Sequence, residues 1–226
     1  MRTIIGIDIG TSATRATLIG IDGTQLCVAS RPHRVSEPKP GHVEHDAERM
    51  WWDEVCETLR EIAEKRPQQV SKAEAIGISA IGASIVPVDA EGKALRPAIL
   101  YGVDRRALSQ IASLENRLGA DEICRKTGRQ LSSQSVGPKI LWIKENEPEI
   151  YSLAQAFLPP TAFVSKRLCG VSAIDLHTAL TLDPLFLPRE KKWNPDFLPL
   201  ICRTDQLPQV HKAGTPIGKL SAEVAT

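Results

Sequence analysis

Two short runs of alternating apolar and polar residues, joined by a glycine-containing turn, open the chain and constrain its fold most. Residues 3–9 and 13–19 carry β-type side chains with period two, and Gly10-Thr11-Ser12 separates them. This alternation predicts two half-buried strands joined as a β-hairpin. Asp22-Gly23 then supplies the residue pair typical of a tight turn, and residues 25–30 predict a third antiparallel strand.

Helical and strand-like segments alternate after this opening. Residues 31–45 are rich in Pro, His and Lys and predict a loop, and Asp46 is placed to cap a helix with an apolar face from Trp52 to Ala63. Residues 183–226 contain many prolines and predict a peripheral segment of surface-packed loops and short helices. The remaining predictions are strands at 73–79, 84–88 and 95–101 and helices at 106–118, 139–144 and 160–168.

Three antiparallel strands, a helix, and then strand and helix again is the element order of the ribonuclease H-like unit. We therefore predict an α/β, ribonuclease H-like domain of the actin/hexokinase type, with a mixed sheet opened by three antiparallel strands and helices on both faces. Other α/β folds also begin with a hairpin, so element order by itself leaves them open.

The composition argues against several functional classes. With 28 basic and 27 acidic residues and 4% aromatic residues, the chain lacks the charge and the stacking platform expected of a nucleic-acid binder. No apolar run reaches the length of a secretory or transmembrane segment, which predicts a cytoplasmic protein without a membrane partner. The cysteines form no C-x-x-C pair and are predicted to be reduced; they are Cys27, Cys56, Cys124, Cys169 and Cys202.

The tip of the opening hairpin carries residue types that bind phosphate. Asp8 ends the first strand on the face opposite the apolar residues, and Gly10 permits a tight turn. Thr11 and Ser12 offer hydroxyl and amide donors, and Arg15 can neutralise phosphate charge. The segment is neither a Walker loop nor a G-x-G-x-x-G element. An ordinary polar turn, with Asp8 bonded to turn amides and Arg15 in solvent, accounts for the same residues equally well.

Five segments, in order along the chain, resemble the FGGY family of carbohydrate kinases. The resemblance spans essentially the whole chain, is most specific in its first and last segments, and is closest to the pentulose (xylulokinase-like) members. The segments are D-I-G-T-S-A-T-R at 8–15, G-I-S-A-I-G-A at 77–83, L-R-P-A-I-L-Y-G-V-D-R-R-A at 95–107, G-P-K-I-L-W at 137–142, and L-P-Q-V-H-K-A-G-T-P-I-G-K-L-S-A-E-V-A at 207–225.

This resemblance implies an amino-terminal, sugar-side domain of a kinase. The family transfers the γ-phosphate of ATP, with Mg²⁺, to a hydroxyl of a sugar or polyol. By the same resemblance Asp8 is the metal-associated carboxylate, and Gly10, Thr11, Ser12 and Arg15 form the phosphate-contacting hairpin.

The resemblance also implies a sugar cleft lined by Asp104 and Arg106, which match a D-x-R motif. There the carboxylate accepts hydrogen bonds from vicinal hydroxyls, and the arginine holds it in place. From the residues alone, an aspartate capping a helix with a surface arginine nearby is an open alternative. Tyr101 lies three residues before Asp104 where the family has an aromatic two residues before, so covering the sugar and packing in the core both remain open. Gln134 falls near a position that contacts substrate in some relatives.

Ile81, Gly82 and Ala83 depart from the family pattern. Many xylulokinase-like members have Gln-Met-His at these substrate-lining positions. Because an apolar wall cannot hydrogen-bond the same hydroxyls, the departure puts xylulose specificity in question and leaves a smaller or deoxygenated substrate open.

The catalytic machinery is expected to be incomplete within these 226 residues. In the family, a G-x-x-D stretch with the general-base aspartate, and then a second domain holding most of the nucleotide, follow the segment that resembles residues 214–225. We therefore expect the base beyond residue 226, no catalytic residue within the chain, and no activity of the 226-residue polypeptide alone.

The expected partners are a sugar or polyol and ATP, with a homodimer or pairing with a carboxy-terminal kinase domain as further possibilities. Two alternatives remain open. One is a non-catalytic, actin-like module for sugar binding or assembly. The other is a polypeptide that pairs with a separately encoded carboxy-terminal half.

Overall fold

A computed structural model describes residues 1–222 and 224 of the chain. The chain divides into two compact units, which are described separately. Unit 1 consists of Met1–Val35 and Asp46–Ile81, and unit 2 consists of Ser36–His45 and Gly82–Thr226.

The described strands and helices are numbered in chain order. The strands are β1 (Thr3–Ile9), β2 (Ala13–Gly20), β3 (Gln25–Pro32), β4 (Ser36–Lys39), β5 (His42–His45), β6 (Ala73–Ala80), β7 (Val86–Val88), β8 (Ala98–Ile99), β9 (Ala156–Leu158), β10 (Ala173–Asp175), β11 (Phe186–Leu187), β12 (Lys192–Trp193) and β13 (Gln209–His211). The α-helices are α1 (Glu54–Lys65), α2 (Pro67–Val70), α3 (Leu108–Leu118), α4 (Ala120–Thr127), α5 (Val136–Asn146), α6 (Pro148–Leu153), α7 (Pro160–Cys169), α8 (Leu176–Leu180) and α9 (Leu198–Ile201). A π-helical segment spans Ala47–Asp53, and a 3₁₀ turn spans Thr204–Gln206.

Unit 1 is built on a four-stranded mixed sheet in the order β3-β2-β1-β6. The β1–β2 and β2–β3 pairs are antiparallel, whereas β6 runs parallel to β1. The predicted hairpin and third antiparallel strand are therefore confirmed. Alternate side chains of β1 point into the core of the unit, where Ile7 and Ile9 are buried. Helix α1 packs on β2 and β3, while Ile4 and Val28 on the opposite face of the sheet are exposed.

The segment leading into α1 begins as predicted and then departs from an ordinary α-helix. The side chain of Asp46 accepts a hydrogen bond from the Arg49 amide at 3.0 Å, which confirms the predicted cap. The capped turns are π-helical, however, and the α-helix begins only at Glu54. Val55 and Ile62 are fully buried on its inner face, as the helical spacing of the apolar residues predicts.

Unit 2 contains small sheets and most of the helices. Its sheets have the orders β4-β5-β8, β7-β9, β10-β13 and β11-β12. The prediction of a loop over residues 31–45 is wrong for β4 and β5, which form an antiparallel pair. Gly41 adopts φ 77° in the two-residue connection between them, so it supplies the left-handed conformation that such a turn needs.

The predicted helices of unit 2 are present with shifted ends. Helix α3 ends at Leu118 and is followed by Gly119, which has φ 83°, as expected for a glycine after a helix. Helix α5 begins three residues earlier than predicted, after Ser135. In the proline-rich segment from 183 onward, the elements are short, yet Phe186 and Ile201 are buried and so belong to the core of the unit. None of the helices in the described part of the chain combines the length and apolarity needed to cross a membrane.

Candidate functional site

The predicted phosphate hairpin is an open, charged tip of unit 1. Asp8 and Arg15 face each other across the β1–β2 pair, with Arg15 Nη1 4.0 Å from Asp8 Oδ2 and both side chains 54% exposed. The amide of Gly10 donates to the Ala13 carbonyl at 2.9 Å and closes the turn. Within the described residues Asp8 accepts no hydrogen bond, so the alternative in which turn amides hold its carboxylate is not what the structure contains.

A buried pair braces this turn from inside unit 1. His33 Nδ1 lies 2.7 Å from Glu54 Oε2 and its Nε2 lies 3.1 Å from the Gly10 carbonyl oxygen. The main-chain amide of His33 also donates to the Ser12 carbonyl at 2.9 Å. The two side chains are only 3% and 4% exposed. Both ends of the turn are thus tied to one residue, which restricts the orientations that the turn can adopt.

Ile81 follows β6 beside the end of β1. Its amide donates to the Ile9 carbonyl at 2.9 Å, and its side chain is half-buried. Of the three predicted wall positions, Ile81 belongs to unit 1, and Gly82 and Ala83 belong to unit 2.

In unit 2, Asp104 and Arg106 form a buried, multiply bonded pair. Nε and Nη2 of Arg106 donate to Asp104 Oδ2 at 2.9 and 2.7 Å, and the Arg106 amide donates to Oδ1 at 3.0 Å. The Val43 amide donates to Oδ2 at 2.6 Å. Asp104 is 1% exposed, so in this conformation protein donors take most of the hydrogen-bonding capacity of its carboxylate. Its role toward vicinal hydroxyls stays a prediction.

The alternative of a helix cap with a surface arginine is wrong for this pair. Ala107, rather than Asp104, precedes the first residue of α3, and the Arg106 side chain is buried. Arg106 Nη1 donates to Glu44 Oε1 at 2.7 Å, and its guanidinium lies 5.0 Å from the centre of the Trp142 ring. The cation–π contact and the several hydrogen bonds together restrain the guanidinium, and the guanidinium in turn fixes the Asp104 carboxylate.

Glu44 extends this pair into a charged network. Its Oε1 also accepts a hydrogen bond from Arg96, whose Nε lies 2.7 Å from Glu147 Oε2. The adjacent His42 packs edge-on against Trp142 with ring centroids 5.6 Å apart. Burial lowers the pKa of His42, and the positive charge of Arg106 lowers it further. His42 is thereby favoured in its neutral form near the Arg106 guanidinium.

Two connecting segments flank Asp104. The amide of Gly102 donates to Gln134 Oε1 at 3.3 Å, so Gln134 is tied to the segment between Tyr101 and Asp104. Tyr101 is half-buried and Gln134 is exposed. A narrow crevice beside them is lined by Asp104, Leu108, Ser132, Ser133, Ser135 and Lys139, among others.

Ala83 and Lys139 meet inside unit 2. Ala83 is buried and has φ 53°, a left-handed conformation that residues with a Cβ rarely adopt. The buried ammonium group of Lys139 donates to the Ala83 carbonyl at 3.0 Å. Burial lowers the pKa of Lys139 to about 8, and the nearby Asp104 and Asp183 carboxylates partly oppose this effect.

The geometry of the hairpin suits a metal ion that is shared with a ligand. In the described part of the chain, no three His, Cys, Asp or Glu residues cluster as a metal site would require. Mg²⁺ commonly binds through one or two carboxylates together with phosphate oxygens and water. An exposed strand-end carboxylate such as Asp8, next to a turn with free access to solvent, fits that mode of binding.

The sequence did not single out Lys139, His33, Glu54 or Glu44. A lysine, glutamate or histidine is ordinarily read as a solvated residue, and no local pattern shows that these four are buried. The only signal for Lys139 was its place in the G-P-K-I-L-W segment.

The fold places the chain in a known class of proteins. The mixed sheet, with three antiparallel strands and a parallel fourth, and the likeness to solved sugar kinase structures together identify an α/β domain of the actin-like type. The xylulose kinase of Rhodospirillum rubrum has a solved structure with TM-score 0.91 and 27% identity, covering 99% of this chain and 46% of that chain. The gluconate kinase of Lactobacillus acidophilus gives TM-score 0.89 and 26% identity, covering 99% of this chain and 44% of that chain.

The particular family follows from the sequence match. The model of the FGGY family of carbohydrate kinases, N-terminal domain, matches residues 3–226, and the chain belongs to this family. It is 30% identical to the xylulose kinase of Escherichia coli K12 over 223 residues, which cover 98% of this chain and 44% of that protein. The chain thus spans less than half the length of this relative. The family resemblance drawn from the five segments is confirmed; the last of them extends into Glu223 and Ala225, which lie outside the described residues.

Proposed function

We propose that this chain is the sugar-side, amino-terminal domain of an ATP-dependent carbohydrate kinase. The complete protein would transfer the γ-phosphate of ATP to a hydroxyl of a pentulose or polyol. The observation that carries the proposal is the opposed, half-exposed Asp8 and Arg15 at the tip of a braced glycine turn. In a chain of the FGGY family, this arrangement supplies both the acid and the cation that a transferred phosphate needs.

Each group at the hairpin has a distinct part in this proposal. Asp8 would hold Mg²⁺, which when bound neutralises charge on the phosphate oxygens. The turn at Gly10 brings backbone amides close to the phosphate, and Thr11 and Ser12 add donors. Arg15 places its guanidinium on the same face and offsets the remaining negative charge.

The sugar is proposed to bind in unit 2. The Asp104 carboxylate, fixed by Arg106, would orient substrate hydroxyls, with Tyr101 and Gln134 on the flanking segments. Gly82 and Ala83 offer no polar side chain, and neither does Ile81. The wall therefore favours a substrate with few hydroxyls on this side over a substrate whose hydroxyls require hydrogen bonds from the protein there. The named relatives act on xylulose and on gluconate, so ketopentoses and a sugar acid belong among the candidates.

A thermal-shift titration of the 226-residue chain tests the sugar site. The panel contains D-xylulose, D-ribulose, xylitol, glycerol and gluconate, each raised to well above its dissociation constant. A ligand at about 100 times its Kd stabilises the folded state by about 2.7 kcal/mol. For a chain of this size that corresponds to a rise in Tm of roughly 5 to 10 °C.

Two variants make the result specific. Asp104→Asn and Arg106→Lys should abolish the shift, whereas Arg105→Lys, at an exposed neighbouring position, should retain it. The absence of a shift with every ligand in the wild type contradicts the proposal and favours a non-catalytic module. An equal shift in Asp104→Asn contradicts the location of the site.

The general base remains predicted beyond residue 226, so we expect no turnover by this chain alone. A coupled ADP-release assay with the same panel measures this. Rates near those of ordinary kinases, roughly 1 to 100 per second, would show that the assignment of the base is wrong.

A further inference from the structure

Lys139 is a buried amine with little hydrogen bonding from the protein. It lies near the start of α5 and is 1% exposed. Within the described residues its ammonium group donates one hydrogen bond, to the Ala83 carbonyl at 3.0 Å, although it carries three N–H groups. A charged lysine is costly to bury, so its place here calls for a specific function rather than a packing one.

The segment that Lys139 holds is conformationally constrained. Ala83 has φ 53°, where its Cβ is unfavourable, and it directly follows Gly82 in the proposed sugar wall. The Ser84 hydroxyl donates to the Gly82 carbonyl at 3.3 Å, which is a weak local tie. The bond from Lys139 is the stronger one because its donor is charged.

The charges around Lys139 connect it to Asp104. Asp104 and Lys139 line the same crevice. The carboxylates of Asp104 and Asp183 favour the charged amine, and Arg106 opposes it. Arg129 donates to Asp183, and Arg106 donates to Asp104, so neither carboxylate depends on Lys139 for its only partner.

We propose that Lys139 is a positioning residue of the sugar site, because its ammonium group fixes the Ala83 carbonyl and thereby sets the wall segment relative to the Asp104 carboxylate. This inference rests on the proposed function. In this view the apolar wall contributes its shape to sugar binding, and the buried charge of Lys139 fixes that shape. The wall itself makes no side-chain hydrogen bonds to the sugar.

The proposal makes sugar affinity depend on pH. The pKa of about 8 means that Lys139 is charged at pH 7 and mostly neutral at pH 9. A neutral amine still donates to Ala83, but about half as strongly, so affinity should fall roughly fivefold as pH rises through 8. In Lys139→Met the bond is absent at every pH, and we expect roughly tenfold weaker binding without that pH dependence.

Lys144→Met is the matched control. Lys144 lies on the same helix and also donates to a main-chain carbonyl, that of Leu200 at 3.1 Å, but it is only partly buried. This variant should keep both the wild-type affinity for the sugar and its pH dependence.

Two measurements test the inference separately from the function. The first follows the amide signals of residues 82–84 by NMR from pH 6.5 to 9.5 without sugar. A transition near pH 8 that is absent in Lys139→Met is expected, and the lack of that transition in the wild type overturns the inference. The second measures the Kd of the sugar at pH 7 and pH 9 in the wild type and both variants. If Lys139→Met binds the sugar with the affinity and the pH dependence of the wild type, the inference is overturned. Failure of the wild type to bind any sugar, with the NMR transition intact, instead refutes the proposed function.

Discussion

The buried pair of His33 and Glu54 gives the most quantitative prediction about the hairpin. The imidazole lies between the Glu54 carboxylate and the Gly10 carbonyl, and both side chains are almost fully buried. The substitution His33→Ala removes both the hydrogen-bond partner of Glu54 and the contact with the Gly10 carbonyl. Glu54 is the first residue of α1, which packs on β2 and β3, so losing its partner should destabilise the core of unit 1.

The size of the effect follows from burial. Leaving a buried polar group without its hydrogen-bond partner typically costs about 1 to 3 kcal/mol, and more when that group is charged, because it has lost both water and its partner. We therefore expect His33→Ala to lower the free energy of unfolding by about that amount. Glu54→Gln keeps an acceptor oxygen and removes the charge, so it should cost about 1 to 3 kcal/mol.

Glu57→Gln is the control for this pair. Glu57 lies one turn further along α1 and pairs with Arg31 and Arg49, but these side chains are about one-third to one-half exposed. Pairs of this kind contribute under about 1 kcal/mol. Urea unfolding at pH 7 followed by far-ultraviolet circular dichroism gives the three values. Amide hydrogen exchange at Gly10 and His33 locates the change at the turn. If the free energy of unfolding of His33→Ala lies within about 1 kcal/mol of the wild-type value, as we expect for Glu57→Gln, the His33–Glu54 pair does not stabilise unit 1.

Three further predictions concern single positions. The pKa of Lys139 is about 8 in the folded state and 10.5 in the unfolded state, so the unfolded chain binds more protons between these pH values. The free energy of unfolding of the wild type should therefore rise by about 3 kcal/mol from pH 8 to 10.5 relative to that of Lys139→Met. Urea unfolding that gives the two proteins the same dependence on pH would contradict this. Gly137→Ala should lower the free energy of unfolding, measured with urea, by about 1 to 3 kcal/mol, because its Cβ would lie 2.7 Å from the Asp183 carbonyl oxygen. Gly77→Ala is the control: its Cβ would meet no atom within 4 Å, and its free energy of unfolding should stay near that of the wild type. Asp8→Asn should leave Tm within about 1 °C, since the side chain is half exposed. It should weaken Mg²⁺ binding measured by calorimetry in the presence of inorganic phosphate. Wild-type binding of Mg²⁺ by this variant under the same conditions removes Asp8 from the metal site.

The opening sheet was predictable because its signal is local. A period of two over residues 3–9 and 13–19 determines which side chains are buried, and the structure places Ile7 and Ile9 inside and Asp8 outside accordingly. The same reasoning missed β4 and β5, where prolines and histidines obscure the alternation and Gly41 alone signals the turn.

The site was predictable only in part. Asp104 and Arg106 were found through the D-x-R resemblance, but the burial of both, and the link to Glu44 from a distant segment, depend on tertiary packing. Lys139 is the clearest example, because nothing in the G-P-K-I-L-W segment indicates that the amine of this lysine is buried. Long-range contacts, rather than local pattern, decide which charged groups are buried and hence which act together.

The proposed function depends most on sugar binding in unit 2, at the segment around Asp104. Its most direct test is an NMR titration of the isotopically labelled 226-residue chain with whichever sugar or polyol raises Tm most. We expect the largest changes in amide chemical shift at residues 82–84 and 101–106, with little change in helix α4. Changes confined to α4 or to other surfaces, with residues 82–84 and 101–106 unaffected at saturation, would contradict it.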